Sequence, residues 1–126
     1  MSNEIQSYRD LNVWREGMTL AENCYRVTKH FPREELFGMT SQIRRAAASV
    51  PANIAEGYGR EAAGSYVQHL RIAQGSLKEL ETHLILAERV GLLDAAGMQS
   101  LLATSDEVGR MLRALIRAVQ NSARQS

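Results

Sequence analysis

Tyr66, Leu70, Ala73, Leu77, Leu80, Leu84 and Ala87 recur at alternating steps of four and three residues. That spacing draws one apolar line along a helix with a repeat of about 3.5 residues, the seam by which helices pack side by side. A helix carrying such a seam must cover it with other helices of similar length, and the chain supplies three more lines. Leu101, Ser105, Val108, Leu112, Leu115 and Val119 repeat the same steps, with Ser105 the one polar member. Leu11, Trp14, Met18, Ala21, Tyr25 and Thr28 do so near the start, and Leu36, Met39, Ile43, Ala46 and Val50 share a face between them. No stretch alternates apolar and polar residues over a strand's length, while Ala, Leu, Arg, Glu and Gln dominate, so the local preference is helical throughout.

The breakers divide the chain into four segments. Pro32, Gly57-Tyr58-Gly59, Gly64 and Gly91 punctuate it, and the predicted helices cover about 11–31, 34–57, 62–90 and 95–122 within a single domain, 1–126. Pro51 falls inside the second. A proline there removes one amide and crowds the carbonyl four residues back, so a kink near Ala47 to Pro51 is expected, with a break into two helices as the alternative. Glycine at Gly57 to Gly59 suits a left-handed helix cap, and Asp94 suits an N-cap. At roughly 1.5 Å per residue, helices of about 20 to 28 residues are about 30 to 40 Å long. Short turns force neighbours to run antiparallel, so the expected fold is all-α, an antiparallel up-down-up-down four-helix bundle with a kinked second helix.

Composition narrows the chemistry more than it names it. Among 126 residues, 15 Lys and Arg against 14 Asp and Glu leave a net charge of +1, too weak a field to demand a polyanion partner. The single cysteine, Cys24, cannot form an internal disulfide. No charged-then-apolar leader follows Met1, and no apolar run reaches the roughly 18 residues of a membrane span, so a cytoplasmic protein without membrane contact is expected. Bundle di-iron sites need Glu-x-x-His on two helices, but Val27, Tyr66 and Leu80 precede His30, His69 and His83 by three. No His lies at helical spacing to activate Cys24, which reads as a small packed residue. Gly57-Tyr58-Gly59-Arg60 follows no strand and lacks the Gly-Lys-Ser/Thr of a phosphate loop. No catalytic, cofactor-binding or metal-binding residues are expected, and the reading is of a protein that is not an enzyme.

The charges are nonetheless patterned. After Glu107 the chain contains no acid, and Arg110, Arg113, Arg117 and Arg124 recur at steps of three, four and seven opposite Leu112 and Leu115. Arg71, Lys78 and Arg89 form a second line beside the seam of the third helix. Two readings stand: cations complementing helix C-termini on a solvated face, or a surface for a polyanion. Arg71, Lys78, Arg110, Arg113 and Arg117 are the candidate nucleic-acid contacts. On the second helix, Gln42, Arg44, Arg45, Ser49, Asn53 and Glu56 stand among alanines, a pattern that suggests polar groups paired across a close helix contact. Ile72, Gly75 and Leu86 lie opposite the third seam, apolar or small where a monomer would carry charge, and are the candidate subunit interface.

Several of these strings resemble a known family. Tyr8-Arg9-Asp10-Leu11 with Val13-Trp14, Phe31-Pro32 with Glu35, Gln42-Ile43-Arg44-Arg45-Ala46, and the run from Ser49 to Arg60 resemble the bacterial 23S rRNA-intervening-sequence proteins. Gly75 to Glu81 and Gly91-Leu92-Leu93 continue the likeness, while the fourth helix matches only in pattern. The resemblance implies a four-helix bundle that assembles as a homopentamer, with no enzymatic activity and no cofactor. It marks Gln42, Arg44, Arg45, Ser49, Asn53, Glu56 and Arg60 as the family's polar motif. The family is also distantly similar to the basic accessory variability proteins of retroelements, which implies RNA or DNA as a partner, although this chain is near neutral. Two functions follow as expectations: a non-enzymatic homo-oligomer binding rRNA or other nucleic acid through its basic stripes, and a scaffold or accessory subunit displaying its surfaces to a protein partner.

Overall fold

The computed structural model describes residues 4–125, which form four α-helices and two short 3-10 turns and contain no strand. The helices are α1 (Asn12–Thr28), α2 (Met39–Tyr58), α3 (Ala63–Arg89) and α4 (Ala95–Gln125). They close a ring in which α1 packs on α2, α2 on α3, α3 on α4 and α4 on α1, with no diagonal pairing among the described residues. The side-chain register gives the sense of each sequential pair. Ser49 meets Ser76 while Asn53, further along α2, meets the earlier His69 of α3. Glu81 meets Ser105 while Leu77 faces Gly109, and Arg44 meets Thr28 while Pro51 faces Gly17. Each of these three pairs therefore runs in opposite directions.

The α3 seam lies in the core as its spacing predicts. Leu70, Ala73, Leu77, Leu80, Leu84 and Ala87 are buried, and Tyr66 packs at the margin. On α4, Leu101, Ser105, Val108 and Leu112 are buried, Leu115 and Val119 are partly buried, and Gly109 and Ile116 join the buried face. The α1 line is different. Val13, Gly17, Leu20, Ala21, Cys24 and Thr28 are the buried residues, whereas Trp14 is half-buried and Tyr25 exposed. The reason is proximity to α2: a Cβ on Gly17 would lie 3.6 Å from the Cβ of Pro51 and 3.7 Å from Val50. The buried line of Val13, Gly17, Leu20 and Cys24 faces the neighbouring helices, and Trp14 and Tyr25 stand beside it toward solvent.

The helix ends follow local chemistry. Phe31 is buried behind α1, a 3-10 turn occupies Arg33–Glu35, and α2 starts at Met39, later than the Glu34 that the apolar spacing predicts. A Glu35 carboxylate oxygen accepts the Met39 N–H at 3.3 Å, satisfying an amide of the first turn. From there α2 continues unbroken through the buried Pro51, which rules out two separate helices. Gly57 is a correction to the capping expectation: it lies within α2, and neither it nor Gly59 takes a positive φ. Its role is close packing, since a Cβ there would sit 2.9 Å from His69 Cβ and 3.2 Å from the Tyr66 carbonyl oxygen. Asp94 does cap α4, accepting the Gly97 N–H at 2.6 Å.

The one left-handed glycine is Gly91, with φ +83°. The Gly91 N–H bonds the Glu88 carbonyl at 3.1 Å and the Leu92 N–H bonds the Ala87 carbonyl at 2.8 Å, the paired bonds of a Schellman ending. Alanine at Gly91 meets open space, so its cost is purely conformational. The expected loss is about 1 kcal/mol, read as a lowered denaturation midpoint with unchanged slope.

Candidate nucleic-acid interface

The edge of the α3 seam gathers cations from two helices. With Leu70, Ala73 and Leu77 pointing inward, the flanking positions Arg71, Gln74 and Lys78 lie along the margin that faces α4. There they line an open cleft of about 420 Å³ together with Arg113 from the opposite helix. Two glycines make the cleft: Gly75 leaves open space on α3, and Gly109 faces Leu77 on α4, where a Cβ would lie 3.5 Å from the leucine methyl. The Arg113 guanidinium folds back along α4, with one nitrogen 3.6 Å from that same Cβ position, so its charge sits over Gly109 inside the cleft.

The electrostatics of the five candidate cations differ. Arg71, Arg113 and Arg117 are exposed and make no hydrogen bond or ion pair among the described residues. Lys78 Nζ donates to a Glu81 carboxylate oxygen at 3.1 Å. That carboxylate is mostly buried, its side chain 16% exposed, because its other oxygen accepts the hydroxyl of the fully buried Ser105 at 2.5 Å. Arg110 is bound to Glu107 one turn back on α4 and does not line the cleft. The fold therefore brings Arg71, Lys78 and Arg113 together and leaves Arg110 and Arg117 outside. Gln74 and Gly109 were not legible as site residues, and Gly75, read from its spacing as a candidate for the subunit interface, lines the cleft instead; the signal for Gln74 is position, flanking the seam on the side that α4 occupies.

The polar motif of α2 divides in two. Asn53 Nδ2 donates to the Ser49 carbonyl at 2.9 Å and to its hydroxyl at 3.1 Å, Ser49 shares a 2.7 Å hydrogen bond with Ser76, and Asn53 Oδ1 lies 3.2 Å from His69 Nδ1. Glu56 completes this strip, 3.5 Å from His69 and 3.9 Å from Arg60. These groups tie α2 to α3. Arg44 turns the other way, donating to Thr28 Oγ1 at 2.9 Å and lying over the Tyr25 ring at 4.7 Å, and so ties α2 to α1. Gln42 and Arg45 are exposed and make no side-chain pairing among the described residues.

Burial pushes the Cys24 thiol up to about 12, so it stays protonated at neutral pH. No group of three or more His, Cys, Asp or Glu among the described residues could hold a metal ion, and no helix is long and apolar enough to cross a membrane. Of the candidate interface residues, Ile72 and Leu86 are each 45% exposed, while Gly75 belongs to the cleft.

Comparison with known proteins agrees with this architecture. The family model of the 23S rRNA-intervening sequence protein matches residues 9–114. A crystal structure of a protein of unknown function, of the S23 ribosomal protein family of Bacteroides thetaiotaomicron VPI-5482, superposes with a TM-score of 0.74 at 24% identity. That match covers 82% of this chain and 97% of the other, and at that identity it speaks for the fold. No curated protein matches. With most of the chain inside the matched span, from the start of α1 into the last turns of the α4 seam, this protein belongs to the 23S rRNA-intervening sequence protein family.

Proposed function

We propose that the protein is a non-enzymatic homo-oligomer, a pentamer as the family likeness implies, that binds RNA or other nucleic acid through the α3–α4 cleft. The observation that carries this reading is the pairing of Arg71 and Arg113 across the cleft with no carboxylate to neutralise either. Two guanidiniums and the Gln74 amide supply the planar donors that a phosphodiester accepts, and Lys78 adds a third charge partly shared with Glu81. One such cleft is weak. Assembly repeats it in every copy, so a chain of net charge +1 presents several phosphate sites to one polyanion.

The test is a salt titration of binding to a labelled 23S rRNA hairpin, followed by fluorescence anisotropy. If one cleft contacts three phosphates, affinity falls roughly 40-fold between about 50 and 200 mM salt. Absence of binding at about 50 mM salt overturns the reading. It is also the outcome expected of the second reading, a scaffold for a protein partner, which the exposed Ile72, Ile85 and Leu86 on α3 favour.

A further inference from the structure

The face of the bundle formed by α1 and α2 carries a groove of about 540 Å³, walled by Tyr8, Trp14, Met18 and Tyr25 and floored by Ala48 and Ala52. It exists because two sequence features coincide. Alanines on the outer line of α2 leave depth, and the large α1 side chains that stand beside the buried line of Val13, Gly17 and Leu20 form the walls. The walls are held in place before anything binds: Tyr8 meets Trp14 edge to face at 5.3 Å, and the Arg44 guanidinium rests on Tyr25 at 4.7 Å.

The same chain carries an apolar knob. Phe37 is 93% exposed and its neighbour Leu36 46% exposed, in the connection between α1 and α2. The 3-10 turn and the Glu35 contact to Met39 hold this connection against the start of α2. Leaving a phenylalanine in water forgoes about 1.5 to 3 kcal/mol that its burial would supply. Its own groove is out of reach, since Ala48 lies about 13 Å further along α2 from the first helical residue, Met39. A knob and a groove that one chain cannot join can be joined between two.

We propose that Phe37, with Leu36 beside it, inserts between Trp14 and Tyr25 over Ala48 and Ala52 of a second copy; this rests on the homo-oligomer reading and supplies its contact. Knob and groove are different patches, so the interface is head-to-tail. Each copy gives one knob and accepts another, the arrangement that closes into a ring when the rotation permits. Because the groove lies on α1 and α2 and the cationic cleft on α3 and α4, the contact leaves the cleft open.

Light scattering coupled to chromatography tests this with two variants and their mixture. Phe37→Asp keeps the groove but loses the knob; Ala52→Arg, at an exposed α2 position, keeps the knob but blocks the groove. Wild type is expected as a multiple of 14.0 kDa, each variant alone as a single copy with unchanged helical circular dichroism, and the equimolar mixture as a dimer. The dimer is the distinguishing result, because only a head-to-tail contact lets two defective copies share one intact joint. Wild-type mass in the Phe37→Asp protein overturns the contact and leaves the oligomer reading standing; a single-copy wild type overturns both. A mixture that stays monomeric also overturns the contact. If Ala52→Arg loses its helical signal, Ala48→Arg takes its place in the same mixture.

Discussion

Alanine in place of Gly57 is expected to lower stability by about 1 to 3 kcal/mol, although helix propensity alone favours the change by about 0.5 to 1 kcal/mol. The two terms have opposite signs and the structure decides between them. Gly57 lies inside α2, where alanine would restrict the unfolded chain and extend the helix-forming run. Its added Cβ, however, would lie 2.9 Å from His69 Cβ, 3.0 Å from Tyr66 Cδ1 and 3.2 Å from the Tyr66 carbonyl. Two of these three atoms belong to the α3 backbone or are fixed to it, so relief requires the helices to part. Parting them stretches the Asn53–His69 and Ser49–Ser76 contacts that lie further along the same line. The measurement is equilibrium denaturation of Gly57→Ala beside Gly59→Ala; at Gly59 the nearest atoms would be 3.6 Å away, and little change is expected. A Gly57→Ala protein more stable than wild type would show that α2 and α3 do not approach as described.

The contrast between α3 and α1 explains how much could be read from the residues alone. On α3 six of the seven seam positions are buried, while Ile72, Ile85 and Leu86 stand off that line and are exposed, so periodicity and burial coincide. On α1 two apolar lines compete. Counting hydrophobicity favours Trp14, Met18 and Tyr25, yet the core takes Val13, Gly17, Leu20 and Cys24, because distance to α2 and not apolarity selects the buried face. The same hidden variable governs Gly57, which looks like a cap in a string of glycines and is a point of closest approach in three dimensions. Of the polar motif, Ser49, Asn53 and Glu56 pair with α3 as their pattern suggests, whereas Gln42 and Arg45 stay outside the network and Arg44 turns toward Thr28 and Tyr25, since helical spacing does not reveal which neighbour a long side chain reaches. For the cationic site, spacing on one helix identified the arginines; the missing side chains at Gly75 and Gly109 that let two helices share a cleft belong to no single-helix pattern.

Reversing two charges, Arg71→Glu with Arg113→Glu, is expected to weaken RNA binding at least about 100-fold at about 50 mM salt and to flatten the salt slope by about 2. Both side chains are exposed and neither holds another group, so folding stability should stay within about 0.5 kcal/mol of wild type. Single neutral substitutions separate the cleft from a diffuse basic stripe. A stripe counts Arg110, Arg113 and Arg117 alike, since the three recur along one face of α4. The cleft ranks them: Arg113→Gln costs the most, Lys78→Gln less because Glu81 already holds its charge, and Arg110→Gln little because Glu107 does. Anisotropy titrations of the four proteins at one salt concentration give the ranking directly. Equal losses at Arg110 and Arg113 would assign binding to net charge along α4 and remove the cleft as its seat.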